Sequence, residues 1–281
     1  MHRFDSESEF IRKEIKNMKK ILKIAALALA AAMLLASFGC VSKDAATDSE
    51  YVKNNGKLVI GITDFQPMDY KENGEGEWIG FDADYARAFC EYLGVTAEFI
   101  EIDWDTKETE LDGKTIDCIW NGMTLTDGVK AAMETSVPYC ENAQVVVMKA
   151  DKIADYATED SIKALKIAVE AGSAGDEVVT CLGCQSITRL TAQSDALMEV
   201  AAGTSDACVI DLLMAKAMTG TGTDYADLTF SLKLNSEEYG VGFRKGSDLA
   251  EKLNEFMKQC YADGTAKALA DKYGIVLMEI K

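Results

Sequence analysis

Short apolar runs alternate with amphipathic segments along this chain, and the alternation completes itself once and then starts over. Residues 58–62 (LVIGI), bounded by glycine, have the character of a buried strand. After Gly80, Asp82 is placed to cap a helix whose apolar Tyr85, Phe89 and Leu93 recur every four residues, with Gly94 as its stop. Residues 96–102 alternate as a strand, 116–120 form a second buried run, and 126–133 read as a helix. This β-α-β-α order builds a mostly parallel sheet with helices on both faces.

The order then restarts. Strands are expected over 145–148, 166–169, 186–190 and 207–210, with helices opening at Ser173, over 194–202 and over 212–218. A strand over 239–243 precedes a long helix from Asp248 to Asp263, whose Leu249, Leu253, Phe256, Cys260 and Tyr261 share one face; Gly264 ends it and a last helix covers 265–273. Two α/β lobes follow. Only two prolines occur and no Gly/Ser-rich linker separates the halves, so extended strands are expected to join them.

Composition removes whole classes of function. With 281 residues, 48% of them hydrophobic and 27% charged, the chain is neither disordered nor collagen-like. Its formal charge of −18, from 29 basic against 47 acidic residues, argues against nucleic-acid partners. The one histidine, His2, lies outside the expected folded part, which excludes Ser-His-Asp and Cys-His nucleophiles and histidine-ligated metals. No glycine-rich phosphate loop of the G-x-x-x-x-G-K or G-x-G-x-x-G type is present, so no cofactor is expected.

Residues 1–40 read as an address. From Met18 the chain runs MKKILKIAALALAAAMLLASFGC, a basic start followed by an Ala-rich apolar stretch too short for a spanning helix. Its end, ASFGC, resembles a bacterial lipoprotein box with Cys40 as the lipidated residue, although Ser37 stands where that box usually has leucine. The acidic residues ahead of Met18 make Met18 the expected start of translation. Residues 41–50 (VSKDAATDSE) are expected to be a flexible tether between lipid and domain.

Seven cysteines follow Cys40, an odd number. Cys181 and Cys184 have redox or half-zinc spacing, but no second pair completes a zinc site, which leaves a local disulfide or two free thiols. Cys90, Cys118, Cys208 and Cys260 fall on apolar faces and are expected as small hydrophobes.

In order along the chain, GITDFQPMDY, WIGFDADYARAFCEYLG, DCIWNGMTLTDGV with SVPY, AVEAGSAG, SDACVID, YGVGFRKG and DGTAKALADKYG resemble the bacterial extracellular solute-binding proteins of the polar amino-acid class, over residues 57–275. That resemblance implies a two-lobed periplasmic-binding-protein-like α/β fold of type II with two crossover strands as hinge, here near residues 143–147 and 232–239. Residues 51–144 and 238–281 would form lobe 1 and residues 145–237 lobe 2. Ligand would bind between the lobes, and the closed form would be presented to an ABC permease and its ATPase.

The resemblance also implies a ligand set. Phe65 and Trp104 fall where aromatics sandwich the ligand side chain, with core packing as the alternative. Asn121, Gly122 and Thr124 are expected on a loop after the DCIW strand, holding amino and carboxylate groups; a helix cap is the other role for Thr124. Gly172, Ser173 and Ala174 open a helix whose free N–H groups face a carboxylate. Asp211 corresponds to the carboxylate that pairs the ligand α-amino group, and Gln193 to a residue at the pocket rim. Val129 departs from the pattern: it stands eight residues after Asn121, where most amino-acid binders of the family carry an arginine for the α-carboxylate. Either another cation such as Arg189 substitutes, or the ligand lacks a standard α-carboxylate. The expected protein is a monomeric, lipid-anchored, non-enzymatic binder outside the cell membrane. Its rivals are the ligand domain of a sensory receptor, which usually continues into a transmembrane helix, and a small dehydratase-like enzyme on the same fold.

Overall fold

The computed structural model describes residues 46–280, so Cys40, Met18 and the rest of the expected address lie outside the described residues. Two mixed sheets organise the chain. The first has the order β2-β1-β3-β11-β4, where β1 is Lys57–Ile62, β2 Thr96–Glu101, β3 Cys118–Thr124, β4 Glu134–Thr135 and β11 Glu237–Phe243; β5 (Cys140–Asn142) also pairs with β11. The second has the order β10-β6-β9-β7-β8, from β6 (Gln144–Lys149), β7 (Lys166–Glu170), β8 (Ser186–Leu190), β9 (Ala207–Asp211) and β10 (Leu228–Lys233). Neither sheet is mostly parallel. In each, three parallel strands, β2-β1-β3 or β8-β7-β9, are flanked by antiparallel ones. Of the antiparallel strands, β5, β6, β10 and β11 carry the chain between the sheets.

Those passages lie side by side. The chain leaves the first sheet between β5 and β6 and returns between β10 and β11, where the Gln144 N–H donates to Asn235 Oδ1 at 2.7 Å and the Leu234 N–H to the Gln144 carbonyl at 2.9 Å. Parallel strands end on the same edge, so the carboxyl ends of β1, β3, β7 and β9 converge on the space between the lobes, the usual ligand position in open α/β sheets.

The Phe81–Leu93 helix forms as its periodicity predicts, burying Tyr85 and Phe89 against Trp120, and Gly94 closes it in the left-handed region at φ 76°. Asp82 is not its cap. The carbonyls of Pro67 and Met68 accept the N–H groups of Phe81, Asp82 and Ala83 at 2.9–3.3 Å, so the helix start needs no side chain. The Asp82 carboxylate turns inward instead, accepting from the Gly122 N–H at 2.6 Å and the Tyr139 hydroxyl at 2.8 Å.

Residues 48–50, expected in the tether, open a helix over Asp48–Asn55. Thr47 and Glu50 form a capping box there, Asp48 pairs with Arg244 at 3.0 Å and the Ser49 N–H donates to Asp248 at 2.9 Å. All seven described cysteines are free: Cys90, Cys118, Cys140, Cys208 and Cys260 are buried, and Cys181 and Cys184 make no disulfide. No helix among the described residues is long and apolar enough to cross a membrane.

Candidate binding cleft

The two sheet edges enclose a narrow inner cavity of about 60 Å³. One wall comes from the first lobe, with Trp104, Lys107, Asn121, Gly122, Thr124 and Val129; the other comes from the second, with Glu170, Gly172, Ser173, Ala174, Gln193 and Asp211. It shares Thr124, Thr126, Ala174 and Glu177 with a wider groove of about 520 Å³.

Asp211 ends the buried strand β9 and is 5% exposed. Its Oδ1 accepts from Asn142 Nδ2, from Gln144 Nε2 at 2.9 Å and from the Tyr239 hydroxyl at 2.8 Å. Its Oδ2 accepts from Gln193 Nε2, whose Oε1 in turn takes the Asp211 N–H at 2.9 Å. Asp211 makes no side-chain cap on the Leu212–Met218 helix, and Gln193, expected at the rim, is a buried clamp on Asp211. Asn142 and Gln144 also donate to Glu237, at 2.6 and 2.8 Å. Burial, with Glu237 close by, pushes the Asp211 carboxyl up to about 8.

The floor comes from β3, which runs to Thr124, so Asn121, Gly122 and Thr124 lie in a strand and not on the expected loop. Antiparallel pairing of Thr124 with Tyr239 and Met123 with Gly240 extends it. The Asn121 side chain is used within the protein: its Oδ1 accepts from Thr63 N–H and Oγ1 at 3.1 and 2.8 Å, and its Nδ2 donates to the Thr63 carbonyl and Asp69 at 3.0 and 2.8 Å. Gly122 has φ +54°, and a Cβ there would stand 2.6 Å from Phe65 Cε1. Thr126, not Thr124, caps the Asp127–Ala132 helix, by accepting the Val129 N–H at 3.1 Å. Thr124 is thereby left facing the cavity.

Phe65 does not line the cavity. It is 2% exposed and meets Tyr239 edge to face at 6.3 Å beneath the floor, so its alternative role, core packing, is the observed one. Trp104 does line it, on a short turn that Asp103 caps through the Asp105 N–H at 3.2 Å. Val129 lines it as well, within an apolar cluster that includes Trp104 and Met123.

In the second lobe Ser173 caps the Ala174–Cys181 helix through the Asp176 N–H at 3.2 Å, which presents the helix start to the cavity. Arg189 does not replace the family arginine: it donates to Asp176 at 2.8 Å and to Thr180 at 3.2 Å, away from the cavity. The cation that lines the cavity is Lys107, absent from the expected set. It lies 4.9 Å from the Trp104 ring centre and donates to the Trp104 carbonyl at 3.1 Å and, across the cleft, to the Gly172 carbonyl at 3.0 Å. Burial lowers its pKa.

Glu170 was also missed. It ends β7 as Asp211 ends β9, and burial, with Asp211 nearby, pushes its carboxyl up to about 8 against the opposing pull of Lys107. The signal was available, since Glu170 follows the apolar run IAV as Asp211 follows ACVI.

Comparison with known proteins decides the family. The model of the bacterial extracellular solute-binding proteins, family 3, matches residues 58–275. The chain belongs to that family. Family 3 relatives include the L-cystine-binding protein TcyJ of Escherichia coli, 27% identical over 259 residues, which span 90% of this chain and 94% of the relative. The L-arginine-binding protein of Pseudomonas aeruginosa is 31% identical over 225 residues, 76% of this chain and 86% of its own length. Among solved structures, an ancestral amino acid-binding protein, AncCDT-1, described as a precursor of cyclohexadienyl dehydratase, is 27% identical with a TM-score of 0.72, covering 80% of this chain and 98% of that one. The mixed α/β lobes described above are the family 3 fold.

Two expectations follow from the cleft. Gly172, at φ +66°, faces the opposite lobe so closely that a Cβ would stand 2.7 Å from Asp105 Oδ1. Gly172→Ala should therefore lower stability by only about 1 kcal/mol, yet weaken ligand binding by roughly tenfold, about 1.4 kcal/mol, because the lobes meet there. Chemical denaturation set beside calorimetry separates the two effects, and unchanged affinity would contradict this account.

The second expectation concerns pH. Burial raises the carboxyls of Asp82 (to about 7), Glu170 (to about 8) and Asp211 (to about 8) above their ordinary values, so the folded state holds protons that the unfolded chain releases. Their stabilising contribution is complete below the ordinary carboxylate range and is lost as pH rises through about 8. Urea midpoints of the ligand-free protein should fall between pH 5.5 and 8.5; a rising midpoint would contradict these assignments.

Proposed function

We propose that this protein is the extracytoplasmic binding component of an ABC importer and captures a small polar solute with an amino group, an amino acid or related amine, by closing two lobes around it. The observation that carries this reading is Asp211, a buried carboxylate fixed by four side-chain donors at the edge of one lobe and facing the other. An ammonium brought to Oδ2 gains a charge-assisted bond at a site whose partners are already oriented. Trp104 offers an aromatic face, while Thr124 and the helix start at residues 173–174 supply neutral donors for an acidic end. In the same reading residues 51–144 and 238–281 move against 145–237 at the paired crossings. Cys40 carries the lipid that keeps the monomer at the outer face of the membrane, where it meets a permease and an ATPase.

Calorimetric titration of the purified protein with the twenty standard amino acids and with small amines tests this. At least one should bind with one-to-one stoichiometry and without turnover, and failure of all of them would overturn the reading. A second reading, an enzyme on the same fold, draws on AncCDT-1 and on the buried carboxyls of Glu170 and Asp211, whose raised pKa values suit proton transfer. Conversion of a cyclohexadienyl substrate by the purified protein would select it.

A further inference from the structure

Glu170 is 2% exposed, lines the inner cavity, and its Oε1 makes no hydrogen bond among the described residues. The groups nearest to satisfying it are committed elsewhere. Thr63 and Gln193 lie beside the carboxylate and favour its charged form, but the Thr63 hydroxyl donates to Asn121 at 2.8 Å and the Gln193 amide to Asp211. The cation of the cavity, Lys107, directs its ammonium to two carbonyls. A buried acceptor with nothing to accept from is costly, and a charged one more so.

Asp211 differs from Glu170 in that its four donors come from the protein, whatever the ligand brings. The balance of charge points the same way. Glu170 and Asp211, which hold protons in the ligand-free cavity and release them to an arriving cation, face only Lys107 as a cation among the described residues, and Glu177 adds a carboxylate toward the wider groove. That groove carries Asp127, Glu141, Glu237 and Glu238 against Lys130, a field that draws cations in and repels anions. Val129, at the cavity wall, supplies no countercharge for a ligand carboxylate.

We propose that Glu170 makes the cleft selective for solutes of net positive charge: its free carboxylate oxygen pairs a cationic group of the ligand, an ammonium or guanidinium, that is additional to the group held by Asp211. This rests on the solute-binding reading above. A basic amino acid and a diamine both meet the requirement, since each carries two cationic groups. A neutral zwitterion leaves Glu170 without a partner.

The test pairs near-isosteric probes of different charge. L-arginine, agmatine and putrescine are titrated calorimetrically into the wild-type protein beside L-citrulline, whose urea group copies the shape of guanidinium without its charge. At least one cationic probe should bind more tightly than citrulline by about tenfold or more. Glu170→Gln should remove that preference, weakening the cationic probe by about tenfold or more while citrulline stays within roughly threefold. Glu170→Asp keeps the charge and withdraws it by one methylene, so it should retain the preference at lower affinity; it also guards against a Gln variant that is merely misfolded. The proposal is overturned if citrulline binds wild type as tightly as the cations, or if Glu170→Gln weakens every probe equally. Binding of citrulline or another neutral amino acid with no cation binding would overturn this inference and leave the solute-binding reading standing. Silence from these probes and from all twenty amino acids would overturn both.

Discussion

Asp211→Asn should cost the protein most of its ligand affinity, by roughly 2–5 kcal/mol, or about 30-fold to several thousandfold. The substitution keeps the shape of the side chain and removes its charge. Four donors converge on this carboxylate, and an asparagine turns one of its two acceptor oxygens into an NH₂ that faces donors from Asn142, Gln144, Tyr239 or Gln193. A ligand ammonium then meets a neutral amide where it met a carboxylate. The ligand-free fold should survive, because the burial that penalises the carboxylate penalises an amide less. Calorimetry with whichever amino acid or amine binds wild type reads the loss, and wild-type affinity in Asp211→Asn would remove Asp211 from the site.

Gly80→Ala should be the most damaging single-methyl change to the fold, lowering stability by about 3 kcal/mol or more. Gly80 has φ +128° and ψ 175°, a conformation closed to residues with a Cβ. A methyl there would stand 2.1 Å from the Met68 carbonyl oxygen and 2.5 Å from its carbon. Those atoms are backbone and are already engaged, since the Met68 carbonyl accepts the N–H groups of Asp82 and Ala83. Relieving the overlap breaks the helix start, and with it the Asp82 carboxylate that holds the Gly122 N–H at the cleft floor. Urea unfolding of the variant measures the loss; a change below about 1 kcal/mol would contradict this packing.

Much of this architecture was legible in the residues, and the illegible parts share a physical cause. Residues 81–93 and 249–263 carry helical periodicity, with Gly94 and Gly264 as stops, because both helices bury one face locally. Asp211 was marked by the family resemblance, and since it ends a buried strand as Glu170 does, attention to that shared position would have added Glu170. Lys107 gave no such sign. Within KETEL it reads as one charge of a solvated helix, and it is the Trp104 ring together with Gly172 from the other lobe that encloses it.

Phe65 and Asn121 show the reverse. Both stand where a ligand contact was expected, but distant partners claim their side chains: Tyr239 and Gly122 hold the Phe65 ring, and Thr63 and Asp69 exhaust the Asn121 amide. Asn121-Gly122 looks like a turn in isolation and becomes strand because β11 supplies a partner from far along the chain. The clamp of Asn142, Gln144 and Tyr239 on Asp211 likewise exists only because the two crossings run side by side. What local periodicity sets is readable; what the second lobe or a returning strand sets is not.

The most direct test of solute capture is a thermal-unfolding screen of the purified protein against the standard amino acids, small amines and diamines. A ligand present at 100 times its Kd adds about 2.7 kcal/mol to the folded state, which raises the midpoint of a protein this size by roughly 5–10 °C. The account predicts such a rise for a solute with an amino group, largest for those of net positive charge, and its loss in Asp211→Asn. An unchanged midpoint with every one of these compounds would contradict it.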